Sequence, residues 1–245
     1  MCGQQRYVVM LWWMLLCGCN VARCGEPSVH LVESVWGNFF MAKNTTFSSA
    51  DTFMVVPTNS QCTCKRQCQA IMRCQAWSFV ENSDGRRECR LADRGPNGYS
   101  TTYNTTATYY FRQDSVNGTY SLEKDGLLYL RARVQRIFAN AKAFCAAIPG
   151  HRLVIFKTLQ QKDILLALPV NDKFWVVDLQ KNGTGAIWGD GTQYGDTELG
   201  LNFPLVTDQS PNVSVYVRYN SRLDDFFNNY QVNVLCQANP LGLNW

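Results

Sequence analysis

Eleven cysteines in 245 residues restrict this chain more than any other feature. Cysteines in such number persist as disulfides on the oxidising export route. The N-terminus reads as a leader for that route: an early cation at Arg6, an unbroken apolar run from Tyr7 to Leu16, then small residues and cysteines. A signal peptide over residues 1–24, cut after Cys24, is expected. The run is shorter than the roughly 20 apolar residues a membrane span needs, and no later stretch reaches that length, so no membrane span is expected. Five N-x-[ST] sequons, at Asn44, Asn104, Asn117, Asn182 and Asn212, fit an exported glycoprotein and mark surface turns. Losing Arg6 and Arg23 with the leader lowers a formal charge of +4 by those two cations. The small remainder provides no field for a polyanion, and no nucleic-acid partner is expected.

The cysteines fall into a dense cluster, Cys62 to Cys89, and a distant pair, Cys145 and Cys236. Between them runs the polar stretch Gln113–Tyr120 (QDSVNGTY), read as a linker between a unit at 25–112 and a unit at 121–238. In the first unit, Ser60 is a candidate N-cap before a run of helix formers. Alternation of Ala76, Ser78 and Val80 with Trp77 and Phe79 then predicts a strand. Cys64 and Cys68 are four apart and share a helix face, while Cys62 points elsewhere. Zinc is a poor reading of this cluster, which has no CxxC knuckle and no nearby histidine.

In the second unit, Phe138, Ala141, Cys145 and Ile148 recur at helical spacing until Pro149-Gly150 stops the run. A second helix follows at Leu159–Leu168, then a short apolar strand over 174–177 and a turn at Asn182-Gly183. AIWGDGTQYG sets a tryptophan before an Asp-Gly turn, and QVNVLCQ closes with Val232, Val234 and Cys236 alternating on a strand. Trp175 and Trp188 offer flat faces to a sugar, although core packing is the first use of aromatics in such strands.

The CxxxC spacing, Cys74 before AWSF and Cys89 in ECRL resemble the PAN/apple module. That resemblance implies a small antiparallel sheet crossed by one helix, Cys64 paired with Cys89, Cys68 paired with Cys74, and adhesion or ligand binding. Cys62 has no partner in it: a bridge to a retained Cys24, a free thiol and a disulfide-linked dimer all stay open. ANAKAFC, GHRLVIF, FWVVDL, IWGDG and VNVLCQ are similar, in order and spacing, to the C-type lectin-like family, over about 120 residues. The two together resemble the secreted C-type lectin-like proteins of invertebrates. The family implies an α+β double-loop fold of two helices and antiparallel strands, with Cys145 tied to Cys236.

Sugar-binding members of that family hold calcium through a carboxylate-Pro-Asn type motif and an Asn-Asp pair after a tryptophan. Calcium needs six to eight hard oxygen ligands. Here Ser210-Pro211-Asn212 and Leu223-Asp224-Asp225 stand in those places, so Asp208, Gln209, Asn212, Asp224 and Asp225 are the candidate calcium and sugar ligands. The family's inner cysteine pair is replaced by Asn228 and by Val215 or Tyr216. A glycan on Asn212 would cover the same surface.

The histidines, His30 and His151, stand outside any H-E-x-x-H, and neither G-x-S-x-G nor a phosphate-cradling glycine loop occurs. His151, beside a cysteine taken up in a disulfide, reads as a solvated turn residue. The expectation is a secreted, non-catalytic recognition glycoprotein binding an extracellular protein or glycan through both units. A calcium-dependent lectin of innate defence is the alternative.

Overall fold

The computed structural model describes residues 28–34, 37–169, 174–183, 185–206, 213–219 and 221–245. The leader, Cys24, Asp208, Gln209 and Asn212 lie outside them. The described residues form a mixed α+β fold with four α-helices and two sheets, antiparallel in nearly every pairing. Among them no helix is long and apolar enough to cross a membrane.

The first sheet holds β1 (His30–Val32), β2 (Phe39–Phe47), β3 (Met54–Pro57), β4 (Ala76–Glu81), β5 (Arg87–Ala92) and β6 (Thr101–Arg112), in the order β1-β2-β6-β4-β5-β3. Helix α1 (Gln61–Ala70) starts where Ser60 Oγ accepts from the Cys62 amide, which satisfies one of the orphan donors of the first turn. Its buried face carries Cys64, bonded to Cys89 on β5, and Cys68, bonded to Cys74 just before β4. Beneath it Trp77 stacks on Tyr110 at 3.8 Å between centroids. Cys62 is disulfide-bonded as well, which corrects the free-thiol reading. Its partner is not among the described residues.

The second sheet holds β7 (Gly118–Leu122), β8 (Leu128–Arg136), β9 (His151–Leu153), β10 (Trp175–Asn182), β11 (Gly185–Trp188), β12 (Leu205–Val206), β13 (Val213–Tyr219), β14 (Arg222–Phe227) and β15 (Val232–Ala238). Its order is β12-β14-β13-β10-β15-β8-β7, with β11 on β10 and β9 on β15. Two pairs run parallel, β10 with β15 and β12 with β14. Helices α2 (Phe138–Ala146), α3 (Leu159–Ala167) and α4 (Glu198–Asn202) complete this half. Helix α3 opens on a capping box, Thr158 with Gln161. A disulfide joins Cys145 of α2 to Cys236 of β15, both fully buried.

Gln113–Tyr120 is no loose linker. β7 begins at Gly118, and its Thr119 and Tyr120 pair with Arg131 and Leu130 of β8. Its turn-forming residues suggested a loop, but the Asn117 carbonyl and the amides beyond it find partners on the neighbouring strand. One apolar cluster then runs through both halves, from Phe40, Phe47 and Phe111 of the first to Leu130, Cys145, Val234 and Cys236 of the second. Ser28 ties the chain start to the second half, its amide donating to Asn239 O (2.9 Å) and its Oγ to Gly150 O (3.0 Å). Gly150 is required there: its φ is +73°, and a Cβ would meet Ser28 O at 2.4 Å.

His151 is a correction of the solvated reading. It is 7% exposed, first residue of β9, with Nδ1 3.0 Å from Pro149 O and Nε2 3.1 Å from the Tyr120 hydroxyl. Phe40 of the first sheet meets its ring edge-on at 6.1 Å. Pro149-Gly150 does turn the chain, but turns it into the shared core.

Two outcomes are expected. In urea denaturation, the Cys145→Ala/Cys236→Ala variant loses more stability than Cys68→Ala/Cys74→Ala. The closed segments differ, 91 residues against 6, and loop-closure entropy gives about 4–5 against about 2 kcal/mol. Burial pushes the His151 pKa down to about 4 from 6.5, so the folded state binds its proton less readily than the unfolded state. Its contribution is complete above pH 6.5 and is lost as pH falls toward 4, on the order of 3 kcal/mol. Stability against pH for the protein and for His151→Gln should therefore converge on acidification through that window.

Candidate functional site

The β13–β14 hairpin carries the described part of the predicted site. A strand turns successive side chains to opposite faces, and the ladder Tyr216↔Asp225, Val217↔Asp224 is regular here. Asp225 faces inward with Leu223; its side chain is wholly buried, and Oδ2 accepts from Lys181 Nζ of β10 at 3.2 Å. Asp224 turns the other way and takes a forked contact from Arg222, Nε at 3.1 Å and Nη2 at 2.7 Å.

Each carboxylate thus has its own cation, on its own face. An ion needing six to eight oxygens is served by oxygens that converge. Among the described residues no three His, Cys, Asp or Glu side chains converge in that way. Asp224 and Asp225 each give Oδ2 to a cation of the chain itself, a guanidinium and an ammonium. Asp208, Gln209 and Asn212 lie outside the described residues.

Ring contacts steady the hairpin where no second disulfide occurs. Phe174 lies 4.8 Å from Tyr219 and 4.4 Å from Phe226, and Tyr230 lies 5.2 Å from Phe226. Val215 and Tyr216 are buried in the two cores, and Asn228 follows the end of β14. Tyr219, Phe227 and Tyr230 leave part of their rings exposed, an apolar patch with a hydroxyl rim. Trp175 and Trp188 are 5% and 1% exposed and belong to the second core, so neither stands open as a flat stacking platform. Arg218 is buried without a carboxylate; it donates to Leu166 O (3.2 Å) and Pro169 O (3.5 Å) around the end of α3, where carbonyls favour a cation.

Four sequon asparagines are described. Asn117 and Asn182 are exposed, Asn44 and Asn104 half-buried. Asn104 Oδ1 accepts from the Thr106 amide and hydroxyl at 2.9 and 2.8 Å. Asn44 takes a positive φ of 54° at an irregularity in the β2–β6 ladder, a conformation asparagine tolerates better than most side chains.

Sequence reasoning named the two aspartates and missed their cations. Arg222 was legible as the residue two before Asp224 on the same strand face. Lys181 was not, because its approach depends on how β10 and β14 lie in the sheet.

No family model matches the chain, and no curated protein matches it. Among solved structures it is similar to the carbohydrate-recognition domain of mouse scavenger receptor C-type lectin, at 16% identity and TM-score 0.40, over 49% of this chain and 93% of that one. It is also similar to TC14, a C-type lectin from the tunicate Polyandrocarpa misakiensis, at 20% identity and TM-score 0.36, over 45% and 96%. C-type lectin CEL-I from Cucumaria echinata gives 16%, 0.39, and 48% and 93%. Likeness at this level assigns no ligand, metal or partner to this chain.

Lys181→Met is expected to destabilise the fold by about 3 kcal/mol, since it leaves a buried carboxylate without its cation. Lys181→Met/Asp225→Leu should recover much of that loss. Chemical denaturation of the single and double variants reads both effects.

Proposed function

We propose that this chain is a secreted, non-catalytic recognition glycoprotein, with an apple-like first half and a C-type lectin-like second half, that binds an extracellular protein or glycan without calcium. The observation that carries this reading is the separate ion pairing of Asp224 with Arg222 and Asp225 with Lys181. Those contacts engage Oδ2 of each carboxylate with a cation of the chain, in competition with a metal that needs convergent anionic oxygens.

Other features support it. The order of two helices and then strands, with Cys145 joined to Cys236, suits a double-loop module. The partly exposed rings of Tyr219, Phe227 and Tyr230 are of the residue types that anchor recognition surfaces. Three disulfides among the described residues, with Cys62 in a further one, accord with an oxidising compartment.

A glycan array probed with the purified chain, first with calcium and then with chelator, tests the reading. Unchanged binding is expected, together with a melting temperature that calcium leaves alone. Binding lost in chelator and restored by calcium would sink it, as would a calcium-induced rise of the size a specific ligand gives, about 2.7 kcal/mol at a hundred times its dissociation constant.

A further inference from the structure

The sequence RARVQR of β8 brings Arg131, Arg133 and Gln135 to the wall of one groove. Between Asn233 and Leu235 the β8–β15 ladder loses register. Such an irregularity re-aims side chains and commonly sits beside binding sites. A groove of about 580 Å3 opens here, lined among others by Thr119, Arg131, Arg133, Gln135, Asn233 and Trp175.

Among the described residues its charge is one-sided: none of their ion pairs involves Arg131 or Arg133, and no described carboxylate lines the groove. Elsewhere in this half the arginine side chains are engaged: Arg152 with Asp190 and the Trp245 ring, Arg222 with Asp224, Arg218 with backbone carbonyls. The indole N–H of Trp175 is taken by Pro169 O at 3.2 Å, so that wall presents hydrocarbon. Gln135 donates Nε2 to Asn233 Oδ1 at 3.3 Å, and its own amide oxygen accepts no bond among the described residues.

We propose that this groove binds a saccharide carrying an oxyanion, a sulfate or a carboxylate, with Arg131 and Arg133 on the anion and Thr119 and Gln135 on ring hydroxyls. A guanidinium presents donors in a planar fork that matches an oxyanion bidentately. Hydroxyl groups need both donors and acceptors, which threonine and glutamine supply. The volume lies in the range of small-ligand pockets. A small net charge is no objection, because one local anion and not a long polyanion is the ligand. The site uses neither Asp224 nor Asp225, so its failure would leave calcium-independent recognition standing.

Isothermal titration of the purified full chain with a sulfated disaccharide, its unsulfated counterpart, inorganic sulfate and an acidic tetrapeptide tests the inference. The sulfated sugar is expected to bind at least about tenfold more tightly than each of the others, the margin one charge-assisted hydrogen bond supplies. Arg131→Gln/Arg133→Gln should lose that binding, and the remote exposed variant Arg86→Gln should keep it. Should the double variant fail to melt cooperatively, Arg133→Glu alone, at an exposed position, is expected to lose it too. Equal affinity for the unsulfated sugar, for bare sulfate or for the peptide overturns the assignment. So does undiminished binding by a folded groove variant.

Discussion

The disulfide between Cys145 and Cys236 is the constraint around which the second half is arranged. It pins α2 to β15, and β15 pairs with β10, β8 and β9, so four strands and a helix take their places from one covalent link. Both cysteines are fully buried in the cluster that also receives Phe40, Phe47 and Phe111 from the first sheet. The link therefore serves two functions at once: it restricts the unfolded chain over a long loop, and it gives the first half a fixed apolar surface to cover. Burial at about 25 cal/mol per Å2 of apolar surface then holds the two sheets together without a covalent bridge between them.

Charge in this fold is managed pair by pair. Asp225 is wholly buried and has Lys181; Asp224 has Arg222; Asp178, 5% exposed, has Lys142 of α2 at 3.1 Å. Burial raises the Asp178 pKa, and the ammonium opposes that rise. Buried carboxylates matched in this way stabilise orientation more than they add net free energy, because desolvation offsets much of the attraction. Against that background, Arg131 and Arg133 stand out as arginines that no carboxylate among the described residues pairs.

Much of the architecture was legible locally. Ser60 before a run of helix formers, Thr158 three before Gln161, Asn182-Gly183 and the Asp-Gly of IWGDG each act within a few residues, and each is found at the element end or turn that its chemistry predicts. Failures occurred where a residue's environment comes from a distant segment. His151 read as a turn residue because Pro149-Gly150 precedes it, yet Tyr120 and Phe40 surround it. QDSVNGTY read as a linker because its composition favours turns, yet its last residues form a sheet edge.

The cysteine-stapled class, the helices and their caps, the strand alternation and the two aspartates of the hairpin are all written in the linear chain. These follow from short-range sterics, hydrogen bonding and periodicity, which a linear reading contains. Folding in three dimensions adds that the halves share a core, that Asp224 and Asp225 face opposite ways toward separate cations, and that Arg131 and Arg133 open onto a groove beside Trp175 and Asn233. Those facts depend on which strands become neighbours, and the order β14-β13-β10-β15-β8 is set by long-range packing that no local pattern encodes.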